Sequence, residues 1–432
     1  MDSTHVAVVP DAFTARNGFL YGLLGLPLAF VALPLYVILP NHYAREFGMS
    51  LGLLGAILLG ARLFDAFIDP FLGRLSDRLF ARSAGAVLAL GAVSAVVLAA
   101  GFALLFFPLV RAPAALAVWA GAMLVITYAA YSALSVSHQS WGAMLGGDEA
   151  QRSRIVAWRE ALGLVGVVLA SITPVALGLP ASTALFFIAL AIGWLAWTRA
   201  PRPVAQPSRQ ANRHGAGGAL WIPLRHAAFR RLLAVFMLNG IASAVPATLV
   251  LFFIQDRLQA EPVMEPVFLG SYFVCAALSI PLWLAVVKRI GLARTWLAGM
   301  LLAIAVFAWA TQLGAGDTAA FVLVCALSGA ALGTDLALPG AMLAGLIQAH
   351  GQSGKSEGAY FGWWNFATKL NLALAAGLAL PLLGLFGYAP GARDAGALSA
   401  LVVAYCVLPC ALKLAAAAAL YFSIIQPARP SP

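Results

Sequence analysis

Long apolar runs recur along the whole chain, at about residues 18–40, 51–72, 84–108, 113–137, 155–178, 182–198, 229–254, 266–287, 292–312, 318–346, 358–386 and 396–424. A helix needs about 20 apolar residues to cross a bilayer, and most of these runs have them. Backbone polar groups in hydrocarbon must bond within their own segment, so runs of this kind are helices. The pattern predicts an all-α polytopic membrane protein with twelve transmembrane helices. Composition agrees: 62% of residues are hydrophobic and 10% charged, against roughly 25% charged in soluble domains. A soluble enzyme, a disordered tail and a disulfide scaffold are excluded. Cys275, Cys325, Cys406 and Cys410 lie in apolar runs without metal-ligand spacing and read as small core residues. The polar stretch Met1–Asn17 lacks a basic n-region before a short apolar core, so no cleavable signal peptide is expected.

The one long polar connection follows the sixth run and reads TRAPRPVAQPSRQANRHGAGG. Its Pro, Gly, Arg and Ser describe a solvated link. It divides the chain into a six-helix bundle over 1–198, a cytoplasmic connecting loop over 199–228 and a second six-helix bundle over 229–432. Residues 219–231 mix Trp221 and Phe229 with Arg225, Arg230 and Arg231. A short helix on the membrane surface and a loop entering helix seven both fit.

The 26 basic residues exceed the 16 acidic ones, for a net charge of +10. Eighteen of the 26 fall in the even-numbered connections and the termini, and four in the opposite loops. Basic loops stay cytoplasmic, so both termini are expected on the cytoplasmic side of a bacterial-type inner membrane. The surplus is thus an orientation signal, and the expected partners are the lipid bilayer and a small-molecule solute rather than nucleic acid. Twelve helices suffice for a working monomer.

Ionisable side chains within hydrocarbon are costly and mark cavities, partners or pathways. Helix two carries Arg62, Asp65 and Asp69, spaced three and four apart and so on one face. Two carboxylates one turn apart beside an arginine can hold a cation or share a proton; a buried brace between helices is the plainer reading. Lys369, in helix eleven, is their natural partner if the two helices meet, with Asn365, Thr368 and Asn371 around it. Trp363 and Trp364 could line a path or anchor an interface. Arg159 and Glu160 begin helix five, and Asp335 sits near Pro339 in helix ten. His138, Gln139 and Trp141 end helix four; His138 could relay protons or simply be hydrogen-bonded. Helix one holds Pro27, Pro34 and Pro40, and helix seven Asn239 and Pro246. Interruptions at matching places in two halves point to a site at their interface.

The segment from Arg62 to Pro70 (RLFDAFIDP), followed by Gly73-Arg-Leu-Ser-Asp77-Arg78, resembles the signature of the glycoside–pentoside–hexuronide:cation symporters, the melibiose-carrier relatives within the major facilitator superfamily. Gly358-Ala-Tyr360-Phe361-Gly362, then Asn365, Lys369 and Gly387-Tyr388, is similar to that family's helix-eleven segment. The resemblance implies a major-facilitator fold, with two pseudo-symmetric six-helix bundles rocking about a central site. It implies that Asp65 and Asp69 bind the coupling cation beside Lys369 and that Arg159 lines the cavity. It further implies that Gly73, Asp77 and Arg78 form the cytoplasmic gate motif. Ala29 and Ser137 stand where the sugar carriers have aspartates, and Ile68 and Leu134 where they have neutral oxygen ligands. A sodium site wants several oxygens, so the expected coupling ion is a proton. The cavity and substrate candidates are Arg62, Arg159, Ser137, His138, Trp141, Asn239, Asp335 and Asn365. The expected function is cation-coupled secondary transport of a small organic solute by alternating access, with a sugar or glycoside as the family default. An amphiphilic cargo, or a non-transporting sensor with the same fold, are the alternatives. No HExxH and no Cys/His constellation suggests an enzyme, and no resident cofactor or metal is expected.

Overall fold

The computed structural model describes residues 13–49, 51–203, 218–385, 387, 388 and 391–426. Twelve long helices are found among them: α1 (Ala15–Leu33), α2 (Leu51–Phe80), α3 (Ala84–Phe106), α4 (Pro113–Met144), α5 (Glu149–Ala176), α6 (Gly178–Thr198), α7 (Ala227–Arg257), α8 (Glu265–Ile290), α9 (Leu292–Ala310), α10 (Thr318–Ala349), α11 (Glu357–Leu385) and α12 (Ala395–Ile425). Ten are long and apolar enough to cross a membrane. The other two, α2 and α11, carry Asp65, Asp69 and Lys369.

Local chemistry sets the helix ends. Ser83, Asp148 and Asp394 cap α3, α5 and α12, each accepting a hydrogen bond from a backbone N–H three residues on. Gly291, at φ 81°, makes the tight turn between α8 and α9 that a side chain would strain. The first helix of each half is interrupted. After α1 comes a π-turn at Pro34–Ile38, and α7 ends in one at Phe253–Arg257.

Several boundaries shift the expected positions. α4 runs to Met144, so Ser137 and His138 lie inside it, while Trp141 is on its last turn. α2 continues to Phe80 and carries Gly73, Asp77 and Arg78 on its last turns rather than in a loop. α5 starts at Glu149, which puts Arg159 and Glu160 about three turns in, not at its beginning. Pro339 leaves α10 continuous. Between the halves, Gly218–Trp221 forms a 3-10 turn and Ile222–Arg225 one helical turn, and Trp221 is exposed.

Within the first six helices, α1 packs on α5 and α4 on both α2 and α3. Within the last six, α10 packs on α8 and α9, and α7 on α11 and α12. The halves meet along α2 with α11, α4 with α11, and α5 with α8 and α10. Small residues permit the close approaches: a Cβ on Gly73 would overlap the Gly358 carbonyl, and one on Gly166 the Leu26 carbonyl. Large apolar side chains point outward, among them Phe67, Phe71, Val118, Leu282 and Phe422. A bilayer covers such a surface; water would not.

The bonds that join the halves lie from mid-depth to the end bearing the basic connections. Asp77 accepts N–H bonds from Gly358 at 2.6 Å and Ala359 at 3.0 Å, capping α11 from across the seam. Arg152 donates to Gln348 at 2.8 Å, and Leu292 N–H donates to Glu149 at 3.0 Å. Toward the opposite end, Gly55 and Gly60 on α2 and Gly270 on α8 face open space.

Candidate functional site: a lysine between two carboxylates

The one-turn spacing on α2 sets Asp65 and Asp69 on the face that meets α4 and α11, and both are buried. Lys369 reaches across from α11. Its Nζ lies 2.7 Å from Asp65 Oδ1 and 2.8 Å from Asp69 Oδ2. It also donates to Asp69 Oδ1 at 2.9 Å and to Ser132 Oγ at 2.8 Å. Ser132, on α4, donates in turn to Asp65 Oδ1 at 2.7 Å. One ammonium thus faces two carboxylates, and with all three ionised the cluster carries one net negative charge. One added positive charge would bring that sum to zero. Arg62 shares the helix with these carboxylates but is exposed.

The remaining candidates divide between locations. Arg159 pairs with Glu160 on α5 and borders a recess with Tyr21, Gln139, Gly340 and Phe361. Asn365 is half-buried one turn before Lys369. Ser137, His138 and Trp141 are fully buried within the first half. The His138 ring bonds the Tyr21 carbonyl oxygen at 2.8 Å and lies against the Tyr21 ring, and Trp141 donates to the Pro201 carbonyl at 2.8 Å. Those contacts hold α4 to α1 and to the chain leaving α6. Asn239 and Asp335 belong to a different cluster, inside the second half, where Lys413 joins them. Sequence reasoning gave Ser132 and Lys413 no role. Serine is ordinary in an apolar helix, and Lys413 is a lone charge in the last apolar run, with no partner near it in sequence. Among the described residues, no group of three or more His, Cys, Asp or Glu converges as a metal site would.

Twelve helices in two packed halves, with a charged centre in the seam between them, define a membrane carrier of the major-facilitator fold. The sequence profile of the MFS/sugar transport proteins matches residues 19–426, and the chain belongs to that family. No curated protein matches it. Among solved structures it is similar to a bacterial homologue of the iron transporter ferroportin in an outward-facing state, at 14% identity and a TM-score of 0.70, covering 94% of this chain and 98% of that one. It is similar also to a variant of the E. coli fucose:proton symporter FucP (15% identity, TM-score 0.63, 93% and 98% covered). A third similar structure is the human organic anion transporter TETRAN (17%, 0.62, 94% and 100%). At these identities the likeness is one of fold.

Proposed function

We propose that the chain is a proton-coupled secondary transporter of a small organic solute, working by alternating access, of the glycoside–pentoside–hexuronide type. One observation carries the reading: Lys369 is held by Asp65 and Asp69 in the seam between the halves. Protonation of either carboxylate neutralises the cluster and leaves a one-to-one ion pair. A seam that must break and reform through hydrocarbon does so at lower cost when its net charge is zero. Asp65 and Asp69 are the proton-binding groups, and Lys369 is the counter-ion that ties their charge to the contact between α2 and α11. The cluster offers two carboxylates, one hydroxyl and an ammonium that repels metal cations, which favours a proton over sodium.

The basic end is cytoplasmic in this reading, with both termini there, and the state is outward-facing, closed at Asp77–Gly358 and Arg152–Gln348. The bound solute faces Arg159, Glu160 and Asn365. Ser137 and Ala29 supply no carboxylate where the sugar carriers have one, so the solute is a sugar or glycoside held by other groups, or an amphiphile. The protein works as a monomer in a bacterial inner membrane.

The test starts from a thermal-shift panel of free sugars, glycosides, organic acids and lysolipids on the purified protein, since a binder stabilises the folded state by mass action. The stabilising compound is then offered, radiolabelled, to proteoliposomes under an acid-outside pH gradient. Accumulation is expected in the wild type and absent in Asp69→Asn, which should still exchange solute down its gradient. Gradient-driven accumulation by Asp69→Asn would refute the coupling role.

A further inference from the structure

The second charged cluster lies wholly within the C-terminal half, on four helices. Lys413 on α12 is buried, and its Nζ donates to Asp335 Oδ2 of α10 at 2.9 Å and to Asn239 Oδ1 of α7 at 2.7 Å. Trp296 of α9 donates its indole N–H to Asp335 Oδ1 at 2.8 Å, and Ser243 of α7 approaches Oδ2 at 3.3 Å. A brace between helices would be served as well by apolar packing, because an ion pair taken out of water regains its desolvation cost only in part. Two features exceed what a brace needs. Asp335 and Lys413 border a cavity of about 30 Å3, room for about two water molecules. Around that cavity the helices are irregular. α12 passes through a π-turn at Val403–Val407 directly before Pro409 and Cys410, and α7 contributes Pro246, which has no N–H to give. π-turns inside helices are frequent at functional sites.

We propose that Asp335 and Lys413 form a second proton-binding centre, inside the C-terminal half and distinct from the seam cluster. The proton enters through the cavity, which has room for water to carry it, and bonds to an Asp335 carboxylate oxygen. The ion pair is then replaced by an O–H group beside an ammonium that keeps its bond to Asn239. The cluster passes from net zero to a single positive charge, so its occupancy alters how α10 and α12 are held together. The titratable neighbours are few. Tyr272 of α8 and Cys410 of α12 line the same cavity, and α7 and α9 offer only the neutral groups named above. α5 faces α10 with Arg152 and Arg159, but at Gly340 and Ala344 rather than at Asp335. Lys413 is the charge that Asp335 meets directly.

This centre extends the proton-coupled reading and is tested apart from it, with the proton itself as probe. Infrared difference spectra are recorded between alkaline and acidic buffer on the purified full chain in lipid nanodiscs, reading the C=O stretch of protonated carboxyl groups. The wild type is expected to show a component that is lost in Asp335→Asn and kept in the double variant Asp65→Asn/Asp69→Asn. The charge-neutral pair Asp335→Asn/Lys413→Gln should lose the same component, and it serves if the single variant does not fold. An Asp335→Asn spectrum, or that of the neutral pair, identical to wild type would show a permanent ion pair and overturn the proposal. Should the seam variant leave every component in place while Asp335→Asn removes its own, the seam reading fails and this one stands.

Discussion

Lys369 stands between two buried carboxylates, so removing it strands both. Breaking one buried pair costs about 3–5 kcal/mol, because the remaining charge has no counter-ion. Lys369→Met is therefore expected to lower the melting temperature sharply, and adding Asp65→Asn and Asp69→Asn to recover most of the loss. Thermal melts of the three-residue set decide it; a Lys369→Met protein that melts like wild type would show that water, not lysine, solvates the pair. Ser132→Ala removes the bond to Asp65 and the bond from Lys369, each worth about 1.5–3 kcal/mol at most, and should lower the melting temperature less than Lys369→Met, which leaves both carboxylates without a counter-ion. The legibility of these residues follows from rarity. Asp65, Asp69 and Lys369 stand out in the sequence because charge in an apolar run is costly. Ser132 does not stand out, and its role exists only because α2, α4 and α11 converge. Lys413 was visible as a charge, but its partner is 78 residues away on α10, and the meeting is set by packing that no local pattern encodes. His138, equally conspicuous, is committed to Tyr21 inside the first half.

Helix ends show how the seam is secured. Asp77, on the last turns of α2, takes two N–H bonds from the first turn of α11, where the helix dipole favours a negative charge. Asp77→Ala leaves both donors without their carboxylate. Hydrogen exchange at Gly358 and Ala359 should accelerate by on the order of tenfold or more, given the strength of bonds to charged groups; unchanged exchange would mean that Gly73 packed on Gly358 closes the seam alone. Outside the membrane-spanning segments, His226, before α7, and His350, after α10, bring their rings to 5.1 Å. Burial first, and the neighbouring His350 second, hold His226 below its ordinary value of 6.5. At this site the folded state then binds fewer protons than the unfolded one, so the site's contribution to stability is full above about pH 6.5 and declines as pH falls below it. His350→Asn removes the second cause, and melts taken from about pH 7.5 down to about pH 5.5 should show a smaller decline than wild type. Neither imidazole contact is visible in the sequence, since nothing in residues 219–231 says which loop the segment will meet.

At the scale of the molecule, the twelve apolar runs and the polar connection after the sixth foreshadow the helices and their grouping, because lipid imposes one solution on long apolar segments. The state of the carrier is not foreshadowed, since the same apolar faces serve a molecule closed at either end. The bonds that close the seam at the basic end are those of Asp77 with α11, Arg152 with α10 and Glu149 with α9. They are few and polar, which suits the contact that the alternating-access reading requires to break, and a ligand that favours the alternative state would shift the balance by its differential affinity. Spin labels report that balance directly. Gly55→Cys on α2 and Gly270→Cys on α8 place one label in each half where open space surrounds the position. Arg78→Cys and Arg289→Cys do the same on exposed positions at the basic end. The native Cys325 and Cys406 are buried and Cys275 and Cys410 half-buried, and all four are replaced by serine or alanine in this background. With the solute identified by thermal shift, its addition at acidic pH should shorten the Gly55–Gly270 distance and lengthen the Arg78–Arg289 distance in the same sample. If the two distances move together, or only one moves, the halves do not rock about the Asp65–Asp69–Lys369 centre, and the site acts by local gating instead.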